Sequence, residues 1–101
     1  KEDFDKAFEK VDILISPTCP NTAFELGAKS SDPLAMYLTD IATISCNLAG
    51  LPGISVPAGF DKSGMPIGLQ ILAPQLQESR LFNFAYKFEQ ANDFYKKLAN
   101  I

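Results

Sequence analysis

Apolar residues recur three and four apart at Leu34, Tyr37, Leu38, Ile41, Ile44 and Leu48, the spacing of one continuous face of an α-helix. Asp32 and Pro33 supply its start, because a carboxylate caps free amides and proline fits the first helical position, where no N–H is needed. The pattern predicts one helix from Pro33 to a corner made of Gly50, Leu51, Pro52 and Gly53. Directly after it, residues 53–57 are short, β-branched and alternating, as in a strand. Pro57 cannot donate a ladder hydrogen bond and is expected to end regular pairing there. This helix, corner and strand form the centre around which the other elements are arranged.

Upstream, residues 1–10 place Phe4, Ala7 and Phe8 on one side and charges elsewhere, an amphipathic helix suited to packing on a sheet edge. Residues 11–15 form a short, strongly apolar run, with Asp12 its one polar residue, that stops at Pro17 and Pro20. Such a run predicts an inner strand covered on both faces, in a parallel or mixed sheet. Ser16, Pro17, Thr18, Cys19 and Pro20 should turn out of the sheet, and loops beyond strand ends commonly line ligand sites in α/β proteins. Residues 21–31 read as irregular connection. Downstream, Asp61, Lys62, Ser63 and Gly64 form a polar turn between residues 54–56 and 67–72, which predicts a hairpin. Met65 and Pro66 begin its second strand, Pro74 closes it, and Gly68 points to close backbone packing or a bulge. From Gln77 to Leu98 the spacing is helical again: Leu81, Phe84, Ala85, Phe88, Ala91 and Phe94 or Tyr95 share a face, which reads as core packing. Glu78 near its start and Lys96 and Lys97 near its end suit the helix dipole.

The expected architecture is α/β, in the order helix, strand, long loop, helix, strand, strand, helix, with residues 1–101 as a single unit. Three strands are few for a stable sheet. The chain opens on Lys1 within a helix-like segment, and we expect it to be a piece of a longer protein. Exposed strand edges recruit other chains, so non-native oligomers of such a piece are expected at high concentration.

Composition narrows the function. Of 101 residues 47% are apolar, enough for a core. Nine basic against twelve acidic residues give a net charge of −3, with no basic cluster beyond Lys96 and Lys97, so direct nucleic-acid contact is not expected. The longest uncharged run, between Asp40 and Asp61, is interrupted by Pro52, Gly53 and Pro57 and reads as helix, corner and strand, not a membrane span. Cys19 and Cys46 stand far apart in a chain without histidine. That pattern fits neither a zinc site nor a disulfide framework, suits a reducing cytoplasm, and reads as two small apolar core residues.

Candidate chemistry is sparse. Without histidine there is no Ser-His or Cys-His pair, and Gly50 and Gly53 lead from helix into strand, the reverse of a phosphate-binding loop. One position stands out: Asp40 is the sole charged residue between Pro33 and Phe60. A carboxylate in so apolar a run must reach solvent at the helix edge or meet a cationic partner, because an unpaired buried charge is strongly disfavoured. It is the candidate binding residue, with an exposed helix-edge aspartate or an internal ion pair as the alternatives.

The run NLAGLPGISVPAGF (residues 47–60), followed after a turn by MPIGLQILAP (65–74), resembles the C-terminal part of the amidase signature family. DPLAMYLTDI (32–41) and ISPTCPNTAFELG (15–27) narrow the likeness to the glutamine-hydrolysing subunits of aminoacyl-tRNA amidotransferases. The resemblance implies the C-terminal portion of that family's mixed-sheet fold. It also implies a serine, a bridging serine and a lysine as catalytic residues, borne on or near a serine- and glycine-rich segment. Ser30, Ser31 and Ser45 lack those surroundings, so the catalytic portion is expected upstream and the chain is expected to be inactive alone. Asp40 corresponds to the aspartate that holds the α-ammonium of glutamine; the arginine for its carboxylate has no counterpart, and Arg80 lies outside any matching motif. The implied parent is a carbon–nitrogen ligase with glutamine as amido donor, whose ammonia converts Glu-tRNA(Gln) to Gln-tRNA(Gln). Its implied partners are the upstream part of the same subunit and two other subunits, with ATP and magnesium on a partner subunit. Other amidases and a free-standing interaction module are the alternatives.

Overall fold

The structure, a computed structural model, describes residues 1–28 and 32–98. Its strands are β1 (Leu14–Pro17), β2 (Gly53–Phe60) and β3 (Pro66–Leu72), in the order β1-β3-β2 with both pairings antiparallel. Its helices are α1 (Glu2–Phe8), α2 (Pro33–Thr39), α3 (Ile41–Ala49) and α4 (Glu78–Ala91), followed by a 3₁₀ turn over Asp93–Lys96. Side chains alternate across a strand, and here the two faces receive different helices. Leu69 and Ile71 of β3 join Ile54, Val56 and Ala73 against Leu81, Ala85 and Phe88 of α4. On the opposite face Leu72 and Leu14 meet Phe4 and Phe8 of α1 and Cys46 and Ala49 of α3, with Leu51. The result is a helix, sheet, helix sandwich with Ile71 fully buried.

The hairpin, the α1 face of Phe4 and Phe8 and the Leu81, Ala85 and Phe88 side of α4 follow the hydrophobic pattern. Residues 21–28 are irregular as expected, with 29–31 outside the described residues. Phe84, Ala91 and Tyr95, expected on the same α4 core face, are exposed. Four further features depart from the pattern. The 11–15 run forms an edge strand, not an inner one, and is displaced to Leu14–Pro17; Val11 and Ile15 are exposed. A strongly apolar run signals burial without saying which strand lies in the middle, and here both other strands pair with β3. The helix after Pro33 is two helices that meet at Asp40, whose backbone (φ −103°, ψ 5°) ends α2 and starts α3. Thr39 Oγ1 donates to the Met36 carbonyl at 2.6 Å and Thr43 Oγ1 to that of Asp40 at 3.0 Å, and threonine side chains that compete for backbone carbonyls in this way bend helices. Its Leu34-to-Leu48 stripe is consequently not a core face: Leu34, Tyr37, Leu38, Ile41 and Leu48 are exposed, and α3 turns Cys46 and Ala49 inward.

Pro57 does not end the pairing of β2. A bulge absorbs it: Pro57 faces Gly68, Gly59 faces Ile67, and Ala58 is left without an opposite residue. Finally, α4 stops at Ala91, where extended Asn92 donates through Nδ2 to the Phe88 carbonyl at 3.0 Å. Lys96 and Lys97 therefore lie beyond its dipole; Lys97 Nζ sits 4.9 Å above the Phe60 ring, and Lys96 pairs with Asp93 at 3.5 Å. The corner is as expected. Gly50 caps α3 in the left-handed region at φ 69°, where a Cβ is strained, and the Leu51 amide returns to the Cys46 carbonyl at 3.1 Å.

Ile15 and Ile71 are register partners on one sheet face, yet Ile15 is 59% exposed and Ile71 0%. Ile71→Val is expected to lower stability by about 0.5–1.5 kcal/mol and Ile15→Val by less than about 0.5 kcal/mol. Urea denaturation of the two variants checks this, and equal losses would contradict the placement of the core.

Candidate functional site

Where β1 ends, the chain leaves the sheet and runs back across the β2–β3 hairpin. The Thr18 amide donates to the Gly68 carbonyl at 3.1 Å, and Thr18 Oγ1 and Ser55 Oγ share a hydrogen bond of 2.6 Å. Gly68 permits this approach: a Cβ there would stand 2.8 Å from both hydroxyl oxygens. Four residues on, Thr22 Oγ1 donates to Asp61 Oδ2 at 2.6 Å. Asp61 also accepts at Oδ1 from the amides of Ser63 at 2.8 Å and Met65 at 2.9 Å, which fixes the hairpin turn. The hydrogen bond from Thr22, then that from the Met65 amide, hold its carboxyl below the usual carboxylate range.

Between the loop and the hairpin lies a cavity of about 400 Å³, lined by residues 17–23, Ser55 and residues 66–68. None of these side chains is charged. The loop after β1 thus lines a cavity, as its position beyond a strand end suggested. A second cavity of about 130 Å³ separates residues 19–24 from Thr39 at the end of α2. Asp40 is the next residue; it is exposed, lies outside the lining of both cavities, and has no ion-pair partner among the described residues. Of the two features that stand out in the sequence, the structure brings the loop beside the helix end that carries Asp40 and leaves the carboxylate itself open to solvent.

Gln70 does not stand out by pattern. It is buried on the α3 side of β3 and donates through Nε2 to Ser16 Oγ at 3.1 Å and to the Ala42 carbonyl at 2.8 Å, which fastens the first turn of α3 to the sheet. Its one signal in the sequence is an amide inside an otherwise apolar strand. The cysteines divide: Cys46 is buried and its thiol is pushed up by desolvation, whereas Cys19 is exposed on the loop, contrary to its reading as a core residue. Arg80 Nη1 donates to the Asp12 carbonyl at 3.4 Å and does not line the cavity. Ser30 and Ser31 lie outside the described residues. Among the described residues no group of three His, Cys, Asp or Glu side chains could hold a metal ion, and no helix is long and apolar enough to cross a membrane.

A family model described as Amidase matches residues 1–82. The chain belongs to the amidase family. Among curated relatives, the glutamyl-tRNA(Gln) amidotransferase A-subunit of Trichodesmium erythraeum is 62% identical over 96 residues, 95% of this chain and 20% of the relative. The protein of the same name from Rippkaea orientalis is 57% identical over 97 residues, 96% of this chain and again 20% of the relative. The chain therefore spans about a fifth of the length of these curated relatives. Among solved amidase structures, the Thermotoga maritima glutamyl-tRNA(Gln) amidotransferase A-subunit superposes with a TM-score of 0.83 at 39% identity, covering 88% of this chain and 19% of that one. A 6-aminohexanoate cyclic dimer hydrolase superposes with a TM-score of 0.84 at 28% identity, covering 98% and 23%. The helix, sheet, helix unit is thus shared with both of these solved structures.

The depressed Asp61 carboxyl has a consequence for this amidase segment in acid. The folded state gives up that proton more readily than the unfolded state, so the stabilisation is complete above the ordinary value near 3.8 and is lost as pH falls through the lower folded value. Asp61→Asn is expected to be less stable than the parent chain by a constant margin from neutral pH down to about pH 5, and by a shrinking margin below that. Urea titrations across this range measure it, and a margin undiminished at about pH 3 would contradict the assignment.

Proposed function

We propose that the chain is part of the glutaminase subunit of an aminoacyl-tRNA amidotransferase, and that Asp40 holds the α-ammonium of substrate glutamine. The observation that carries the reading is the 62% identity, across 95% of this chain, to a glutamyl-tRNA(Gln) amidotransferase A-subunit. In this reading a serine outside the chain, activated by lysine through a second hydroxyl, attacks the glutamine carboxamide, expels ammonia and leaves an acyl-enzyme that water hydrolyses. The ammonia converts Glu-tRNA(Gln) to Gln-tRNA(Gln) on another subunit, which holds ATP and magnesium. The present residues contribute recognition, and the isolated chain releases no ammonia.

Asp40 suits its part for physical reasons. It is a carboxylate on a largely apolar pair of helices, without an ion-pair partner among the described residues, and an ammonium ligand would supply the charge-assisted contact it lacks. The likeness to a 6-aminohexanoate cyclic dimer hydrolase favours a second reading, a hydrolase of another amide. A cyclic dimer of an amino acid has no free ammonium, so Asp40 would then bind nothing.

The complete subunit with Asp40→Asn separates the two readings. Loss of one charge-assisted contact is expected to raise the glutamine KM by about ten- to a hundredfold while the isolated chain remains silent. An unchanged KM favours the other hydrolase, and ammonia released by the isolated chain would overturn the placement of the catalytic serine outside it.

A further inference from the structure

We propose that Thr22 and Asp61 form a latch that positions the glutamine-recognition end of α2, making both of them positioning residues for substrate binding. The inference rests on the reading of Asp40 given above. Residues 19–24 have neighbours on two sides. On one they face the hairpin across the larger cavity; on the other they face Thr39, the residue before Asp40, across the smaller one. The backbone just before this segment is fixed to β3 by the Thr18 amide and to β2 by the hydroxyl pair with Ser55. Within residues 19–24, the hydrogen bond between Thr22 and Asp61 ties the segment to the hairpin turn.

The acceptor end of the latch is itself immobilised. Two backbone amides bind the other carboxylate oxygen, so Asp61 cannot follow the loop if the loop moves. A short hydroxyl-to-carboxylate bond is among the stronger hydrogen bonds available to a threonine, and here it spans 39 residues of sequence. The segment that the latch holds forms one wall of the smaller cavity, and Thr39 of α2 forms the other. Releasing the latch changes the shape of that cavity and with it the setting of the junction that carries Asp40. Misplacement of a recognition group by about 1 Å is enough to cost binding heavily. The groups that make and break bonds lie outside this chain on the same reading, so the latch bears on how glutamine is held and not on the chemical step.

The test uses the complete subunit with Thr22→Val, which keeps the shape and removes the donor, Thr22→Ser, which keeps the donor, and Asp61→Asn, which keeps an acceptor and removes the charge. Thr22→Val is expected to raise the glutamine KM on the order of tenfold, with kcat within about twofold of the parent. Thr22→Ser should restore the parent KM, and Asp61→Asn should fall between. A KM unchanged in Thr22→Val, or a kcat that falls while KM stays constant, would overturn the proposal. If Thr22→Val does not fold, Asp61→Asn decides alone on the same KM-against-kcat split. Asp40→Asn measured alongside separates the two ideas: a raised KM there with none in the latch variants sinks the latch only, and no effect at Asp40 removes the reading on which the latch depends.

Discussion

Burial of β3 on both faces is the constraint on which the rest of the structure depends. Its alternate side chains point to opposite helical layers, so Ile71 is packed by α4 while Leu72 is packed by α1 and α3. A strand in that position must also be hydrogen-bonded on both edges, since an orphaned amide between two apolar layers costs as much as a lost core contact. Both β1 and β2 supply those bonds. The one polar side chain buried there, Gln70, is tolerated because its amide donates to acceptors on two neighbouring elements, Ser16 of β1 and Ala42 of α3. It turns what would be a cost into a tie between the sheet and α3.

The same constraint explains which parts of the fold could be read from sequence. Elements whose apolar residues meet partners within the chain were legible: the β2–β3 hairpin, the α1 face of Phe4 and Phe8, and the α4 face of Leu81 and Ala85 all pack as their spacing implies. The misreadings fall where local chemistry or the choice of partner overrides periodicity. The break at Asp40 follows from threonines that bond backward to carbonyls, which a hydrophobic period does not register. The edge position of β1 follows from pairing order, which apolarity alone does not specify. Pro57 stays in its strand because a bulge supplies the slack.

The candidate site was legible unevenly for a related reason. A loop of prolines and threonines after a strand indicates where a cavity will form, and Asp40 stands out as an isolated charge. The latch between Thr22 and Asp61 joins two half-buried polar residues 39 positions apart, and no period or motif connects them. Long-range hydrogen bonds between short polar side chains depend on how two loops are brought together, and only the folded arrangement reveals that. Gly68 is the one sequence clue, since its missing side chain leaves room for the Thr18 and Ser55 hydroxyls to meet.

On the reading proposed here, the open placement of Asp40 also constrains how selectivity arises. A carboxylate and an ammonium about 4 Å apart gain only about 1 kcal/mol in water, but about 4 kcal/mol where the effective dielectric constant falls to about 20. Asp40 in its exposed setting would therefore hold an ammonium too weakly to choose glutamine over other amides. The apolar side chains around it, Tyr37, Leu38 and Ile41, are exposed as well, and any surface that packs on them would exclude water from the carboxylate. The Asp40 contact and the cover over α2 and α3 are then coupled: the charge supplies the recognition, and the apolar stripe supplies the low-dielectric setting in which that recognition becomes strong enough to discriminate.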